Sequence, residues 1–180
     1  DYDLVVEKLK GALRFMGVGW YFDSQINNLI VSKVDFSKNV VFKDYTSVSS
    51  VIRNLATANI SRTFDVQSTD FRNGGYIWHI HTNSLDVVVY DKIADLKQSK
   101  KSEKRSVESD NAIRLSLLDD LERTKPLAVV RFEVRLNGRA KIRKVLKCNN
   151  VPEDNITFKR MFSSDISRKV LTSQWNNIFN

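Results

Sequence analysis

Residues 128–137, AVVRFEVRLN, alternate so regularly that they leave the chain few ways to fold. Successive side chains of a strand point to opposite sides, so Val130, Phe132, Val134 and Leu136 share one face while Arg131, Glu133 and Arg135 share the other. A helix would scatter both sets around its axis. The segment is therefore a strand, about 127–137, in a sheet with one dry and one wet face. Three other stretches repeat the pattern. In LIVSKVDF (29–36), Lys33 and Asp35 oppose Val34 and Phe36, and NVVF is expected to continue beyond a turn at Ser37–Asn39. In 75–82, His79 and His81 oppose Trp78 and Ile80, and in 85–92, Tyr90 and Lys92 share a face with Val88. Turn chemistry at Asn73-Gly74-Gly75 opens the third of these strands, and Asn83-Ser84 folds it back on the fourth as a hairpin.

Helical periodicity fills much of the rest. DLVVEKLKGALRFMG predicts a helix over 3–16, capped by Asp3, with Leu4/Val5, Leu9, Leu13 and Met16 as its apolar stripe. Thr46 is expected to cap a second helix that turns Val48, Val51, Ile52 and Leu55 inward. ISRTFDVQ reads as a further strand. After Lys92 the pattern turns helical again, with 97–109 either an exposed helix or a mobile basic segment, then Ile113, Leu117, Leu118 and Leu121 on one face up to Pro126. RAKIRKVLKC after Gly138 is a short basic helix. Two closing helices follow, the last with Ile166, Val170, Leu171, Trp175 and Ile178 as its stripe. The expectation is an α+β fold with a central antiparallel β-sheet and helices packed mainly on one face.

At 180 residues with 42% hydrophobic residues, the chain suits a single domain over 1–180 and is not expected to be disordered. It opens at Asp1 directly on a helical pattern, so a fragment lacking an N-terminal segment is expected. No apolar run approaches the roughly 18 residues of a membrane span. The one cysteine, Cys148, excludes an intrachain disulfide and suits a reducing, cytoplasmic setting. Charge is lopsided. Residues 1–90 hold nine Lys/Arg and nine Asp/Glu, whereas 91–180 hold twenty and twelve, so the whole excess of +8 lies in the second half. Such a surplus favours a polyanionic partner over a merely solvated basic surface. A homo-oligomer is compatible with the sequence.

The wet face carries chemistry. Residues i and i+2 of a strand lie roughly 6–7 Å apart, a spacing at which the imidazoles of His79 and His81 can tilt onto one divalent cation. Asp35 and Glu133 offer carboxylates from other strands, and Mg²⁺ or Mn²⁺ suits such a shell better than a structural zinc. A cation there would polarise a scissile phosphate. The Tyr90 hydroxyl is a candidate nucleophile, with Lys92 to lower its proton affinity or stabilise the leaving oxygen. Arg131 and Arg135 would hold phosphates or keep Glu133 ionised. Arg-x-Glu-x-Arg serves equally as a ladder of surface ion pairs, which contributes little. Arg139, Lys141, Arg143, Lys144 and Lys147 of the basic helix are candidate phosphate contacts, or else a solvated face.

These motifs, in this order, resemble the replication initiators of rolling-circle plasmids and filamentous phages, in the HUH endonuclease class. VSKVDFSKN looks like that family's strand bearing an acidic metal ligand, here Asp35. WHIHTNSLDVVVYDKIADL looks like its His-hydrophobic-His hairpin ending in Tyr-Asp-Lys, and VVRFEVRLNG like its Arg-x-Glu strand. The likeness runs from about residue 3 to 175. It implies DNA binding at a replication origin (single-stranded or hairpin), metal-dependent nicking of one strand and a tyrosine-linked intermediate. In many plasmid initiators the nucleophilic tyrosine lies on the helix after the Arg-x-Glu strand, but no tyrosine follows Tyr90 here. A catalytically silent module of the same fold, binding DNA or RNA, is the alternative.

Overall fold

A computed structural model describes residues 2–19, 22–42, 46–60, 77–99, 128–152, 154 and 156–179. In chain order they form α1 (Tyr2–Phe15), α2 (Asp23–Asn27), β1 (Lys33–Phe42), α3 (Val48–Thr57), β2 (Ile77–Thr82), β3 (Leu85–Asp91), α4 (Lys92–Ser99), β4 (Ala128–Asn137), α5 (Arg139–Cys148), α6 (Phe158–Met161) and α7 (Ser164–Phe179). The four strands make one antiparallel sheet in the order β1-β4-β3-β2. The predicted class holds.

The dry face is where the fold is anchored. Val130, Phe132, Val134 and Leu136 of β4 join Phe36 of β1, Leu85, Val87 and Val89 of β3, and Trp78 and Ile80 of β2 in one buried cluster. Three helices cover that face. α3 brings Val48 and Ile52, α5 brings Ile142, Val145 and Leu146, and α7 brings Ile166, Val170 and Ile178. Each fully buried aliphatic in this set contributes about 1.5–3 kcal/mol from water exclusion. Aromatic packing adds to it, with the Trp175 ring edge-on to Phe132 at 5.4 Å and Phe179 at 5.8 Å from Trp78.

Two turns set the register. Ser84 takes positive φ (62°) in the β2–β3 hairpin, as predicted for the Asn83-Ser84 turn. Gly138 takes φ 102°, which lets the chain leave β4 sharply and start α5 at the next residue. Its N–H donates to the Ser32 carbonyl at 2.9 Å, tying that corner to the start of β1.

The structure corrects four details. The expected turn at Ser37–Asn39 is absent, because β1 runs unbroken from Lys33 to Phe42 and pairs with β4 along its whole length. β3 ends at Asp91, so Lys92 is the first residue of α4 rather than a strand residue. The α1 stripe is also shifted. Val6 is its buried residue, while Leu4 and Met16 are exposed, because α1 is held chiefly at its N-terminal end. There the Tyr2 ring packs on Phe158 and Phe162, and its hydroxyl donates to the Asn27 side-chain carbonyl. Thr46 is likewise not the cap of α3, which begins after Ser47. The strand ISRTFDVQ (apart from Ile60), the turn at 73–75, residues 100–109 of the basic segment, and the Ile113–Leu121 stripe lie outside the described residues. Among the described residues no helix is long and apolar enough to cross a membrane.

Candidate functional site on the polar sheet face

Strand pairing brings the ionisable residues of four strands into register. One row across the sheet runs Asp35, Arg135, Asp86, His81, and the next runs Ser37, Glu133, Val88, His79. A third runs Asn39, Arg131, Tyr90, Ile77. Asp35, His79, His81, Tyr90, Arg131, Glu133 and Arg135 thus share the face opposite the core, as their alternation requires.

Glu133 is the centre of this face. Its side chain is only 8% exposed, and both carboxylate oxygens are engaged. Arg135 Nε donates to Oε1 at 2.7 Å, the Tyr90 hydroxyl donates to Oε2 at 3.1 Å, and Arg131 Nε stands 3.5 Å from Oε2. Arg131 also donates to Ser37 Oγ at 2.7 Å. Arg-Glu-Arg is therefore a clamp around a buried carboxylate and not the weak surface ladder that the sequence alone left open. Asp35 stands 3.9 Å from Arg135 Nε. Burial, and then the negative charge of Glu133, hold the Asp35 carboxyl above the ordinary aspartate range, against the pull of Arg135 and Lys33.

The second cluster lies towards β2. Nε2 of His79 is 3.3 Å from Asp86 Oδ1, and Asn137 Nδ2 donates to Asp86 Oδ2 at 2.8 Å. The His81 ring centroid lies 5.7 Å from that of His79, and His81 pairs with Asp86 in the strand register. Two imidazoles and a carboxylate are a reasonable donor set for a divalent cation. Glu133 fits that role poorly, because two guanidiniums and a phenol already occupy its oxygens. Among the described residues no group of three His, Cys, Asp or Glu side chains is disposed to hold a metal ion. The four expected ligands share a face without converging on one point.

Asp86 was not singled out from sequence, although its parity with Val88 and Tyr90 already put it on the wet face. What the sequence lacked was the register that sets it between Arg135 and His81.

Tyr90 is 9% exposed. Burial, then the negative charge of Glu133, push its phenol well above the usual tyrosine range, with Asp95 acting in the same direction and Arg131 opposing. The phenol is therefore protonated at neutral pH and donates to Glu133. Lys92 is 6% exposed and places Nζ 3.2 Å from Asp95 Oδ2. It stands at the start of α4 and not beside Tyr90 in the strand.

The basic helix is elsewhere. Ile142, Val145 and Leu146 seat α5 on the dry face, so exposed Arg139, Arg143, Lys144 and Lys147 project from the layer opposite Arg131 and Arg135. Lys141 is half-buried, and desolvation followed by repulsion from Lys144 lowers its proton affinity. The residues grouped from sequence as phosphate contacts thus form two surfaces.

Compared with protein-family models, curated proteins and solved structures, the chain matches none.

Proposed function

We propose that this chain is a DNA-binding replication-initiator domain that nicks one strand at an origin with the help of Mg²⁺ or Mn²⁺. The observation that carries the reading is the alignment of His79, His81, Asp86, Glu133 and Arg135 across one polar sheet face. Imidazole and carboxylate beside guanidinium is the equipment for metal-assisted phosphodiester chemistry. His79, His81 and Asp86 share the face without converging, so a cation would have to draw them together, and it would supply charge neutralisation at the scissile phosphate. Asn137 fixes the Asp86 carboxylate, as outer groups commonly orient ligands. Arg135, 38% exposed, is the guanidinium best able to take a phosphate oxygen. Glu133 Oε2 is the acceptor for the phenolic proton when Tyr90 attacks.

The buried, protonated state of Tyr90 favours a second reading, a DNA- or RNA-binding module that kept the face and lost the chemistry. A labelled single-stranded DNA hairpin incubated with the protein and Mn²⁺ separates the two. Cleavage that leaves protein covalently on the DNA is expected, and Tyr90→Phe should abolish the adduct. Tight binding with no cleavage, with or without Mn²⁺, would overturn the nicking reading in favour of the module.

A further inference from the structure

The free side of β1 borders a cavity of about 390 Å³ that the polar-face chemistry does not use. It lies between β1, α6 and the first turns of α7. Its apolar wall comes from Phe158, Met161 and Phe162, and its rim from Lys33, Ser164 and Ser167. The volume falls at the small end of ligand sites, which are largely apolar with a few convergent polar groups. The wall is aromatic and only partly covered. Phe158 and Phe162 stack edge-on at 5.0 Å, and Phe162 keeps 47% of its surface exposed.

What fits is set by continuity with the polar face. Asp35 and Ser37 line the same cavity, and they are also the β1 members of the Arg135 and Glu133 rows. Ser37 Oγ accepts from Arg131, so the rim of the cavity and the arginine clamp share a residue. A chain of phosphates crossing the sheet at Arg135 meets β1 next beside Asp35, with the exposed cation Lys33 two residues along the same face. β1 is the outermost strand of the sheet on that side. Beyond it, an unpaired base has an apolar aromatic wall for its face and serine hydroxyls for its polar edge.

We propose that this cavity receives one base of a single-stranded nucleic acid whose backbone lies on the polar sheet face. The inference deepens the functional reading above and rests on it. Stacking on an aromatic side chain is tolerant of base identity, so the site takes a base without strict sequence choice. The half-exposed Phe162 is the stacking ring, and Ser164 and Ser167 supply hydrogen bonds at the base edge.

The test uses the whole chain and an oligothymidylate of about twelve nucleotides, within the usual range of single-strand sites. Photocrosslinking with a single 5-iodouracil moved along the oligonucleotide should give one position whose adduct maps to residues 158–167. Phe162→Ala should weaken binding roughly tenfold. An abasic nucleotide at the crosslinked position should weaken wild-type binding similarly and leave Phe162→Ala no further effect. Phe162 also touches Tyr2, so Ser167→Phe, which fills the cavity without removing a core contact, provides an independent block with the same expected loss. Crosslinks confined to the sheet strands, or equal losses for intact and abasic oligonucleotides on Phe162→Ala, would overturn the cavity inference and leave the polar-face reading standing. No binding of any oligonucleotide would overturn both.

Discussion

Glu133→Gln is the sharpest probe of the polar face, because it changes one charge and almost no volume. In the native protein the carboxylate accepts from Arg135 at 2.7 Å and from Tyr90 at 3.1 Å, with Arg131 at 3.5 Å. A hydrogen bond to a charged group contributes about 1.5–3 kcal/mol, against about 0.5–1.5 kcal/mol for a neutral one. Glutamine keeps one acceptor oxygen, so its NH₂ must face either the guanidinium, donor against donor, or the phenol, whose hydroxyl then has to turn from donor to acceptor and gives up its hydrogen bond to a charge. Arg135 is 38% exposed and can turn to water, which discounts its share. Arg131 and Tyr90 are more enclosed and cannot relax so freely. The sum is about 2–3 kcal/mol of lost stability. For a chain of this size each kcal/mol lowers Tm by roughly 2–4 °C, so a fall of about 5–10 °C is expected. Thermal unfolding followed by circular dichroism measures it. The double variant with Tyr90→Phe loses the shared Tyr90–Glu133 hydrogen bond only once, so its cost should be less than the sum of the single costs. A Glu133→Gln Tm within about 1 °C of wild type, on that same scale, would refute the argument that this carboxylate holds the arginines in place.

Three further outcomes follow from the same face. Burial raises the Tyr90 phenol, so the folded state keeps a proton that the unfolded chain, with a phenol near pH 10, releases. Stability from this group is therefore intact below about pH 10 and lost above it, by up to about 1.4 kcal/mol per pH unit. Denaturant unfolding from pH 9 to 11 should show a slope that flattens in Tyr90→Phe, and an unaltered slope would mean the phenol is not buried in solution. Asp35 is also raised and its sign is the same, at lower pH: stability is lost as pH rises from the ordinary aspartate range, so the ionised carboxylate destabilises the fold at neutral pH. Asp35→Asn should raise Tm at pH 7 and converge with wild type below about pH 4, and a lower Tm at pH 7 would contradict this. Arg135→Ala should reduce the slope of log K against log salt for a short single strand by about one. Replacing Arg139, Arg143 and Lys144 together should leave that slope unchanged, because α5 projects from the opposite layer. A smaller slope in the triple variant would place the strand on α5.

The strands were legible because one-sided burial writes itself as period two. Arg131, Glu133 and Arg135 between Val130, Phe132, Val134 and Leu136 admit one arrangement, and His79 and His81 between Trp78 and Ile80 admit another. What alternation cannot give is which strands are neighbours. Asp86 acquires meaning only beside Arg135 and His81, and Ser37 only beside Arg131, through pairings that span 94 residues in the latter case. The misplaced turn at Ser37–Asn39 has a similar cause. Ser, Lys and Asn in a row are turn chemistry locally, but pairing with all of β4 keeps them extended. The α5 cations were legible as a basic helix, but sequence shows charge without showing which layer bears it.

The two faces of the sheet explain each other energetically. The dry face buries Trp78, Ile80, Val87, Val134 and Leu136 almost completely under three helices, which supplies most of the sheet's apolar burial. The wet side is then free to hold groups that a sheet needing only solubility would avoid. Ionised Asp35 is held against burial and against Glu133, and a nearly buried carboxylate sits between two arginines. Replacing such an ion-pair set with well-packed apolar residues is often neutral or stabilising, so stability is a weak reason for its presence. Local choices that oppose stability while global packing absorbs them are the usual mark of a working surface. That inference predicts an asymmetry between the faces. Stability and binding should therefore separate on the wet side, with Asp35→Asn raising stability and Arg135→Ala weakening nucleic-acid binding, whereas a dry-face truncation such as Val134→Ala should lower stability and leave the affinity of the folded fraction unchanged. If wet-face and dry-face variants lose stability and affinity in parallel, the polar residues are part of the fold's support and the face has no separate task.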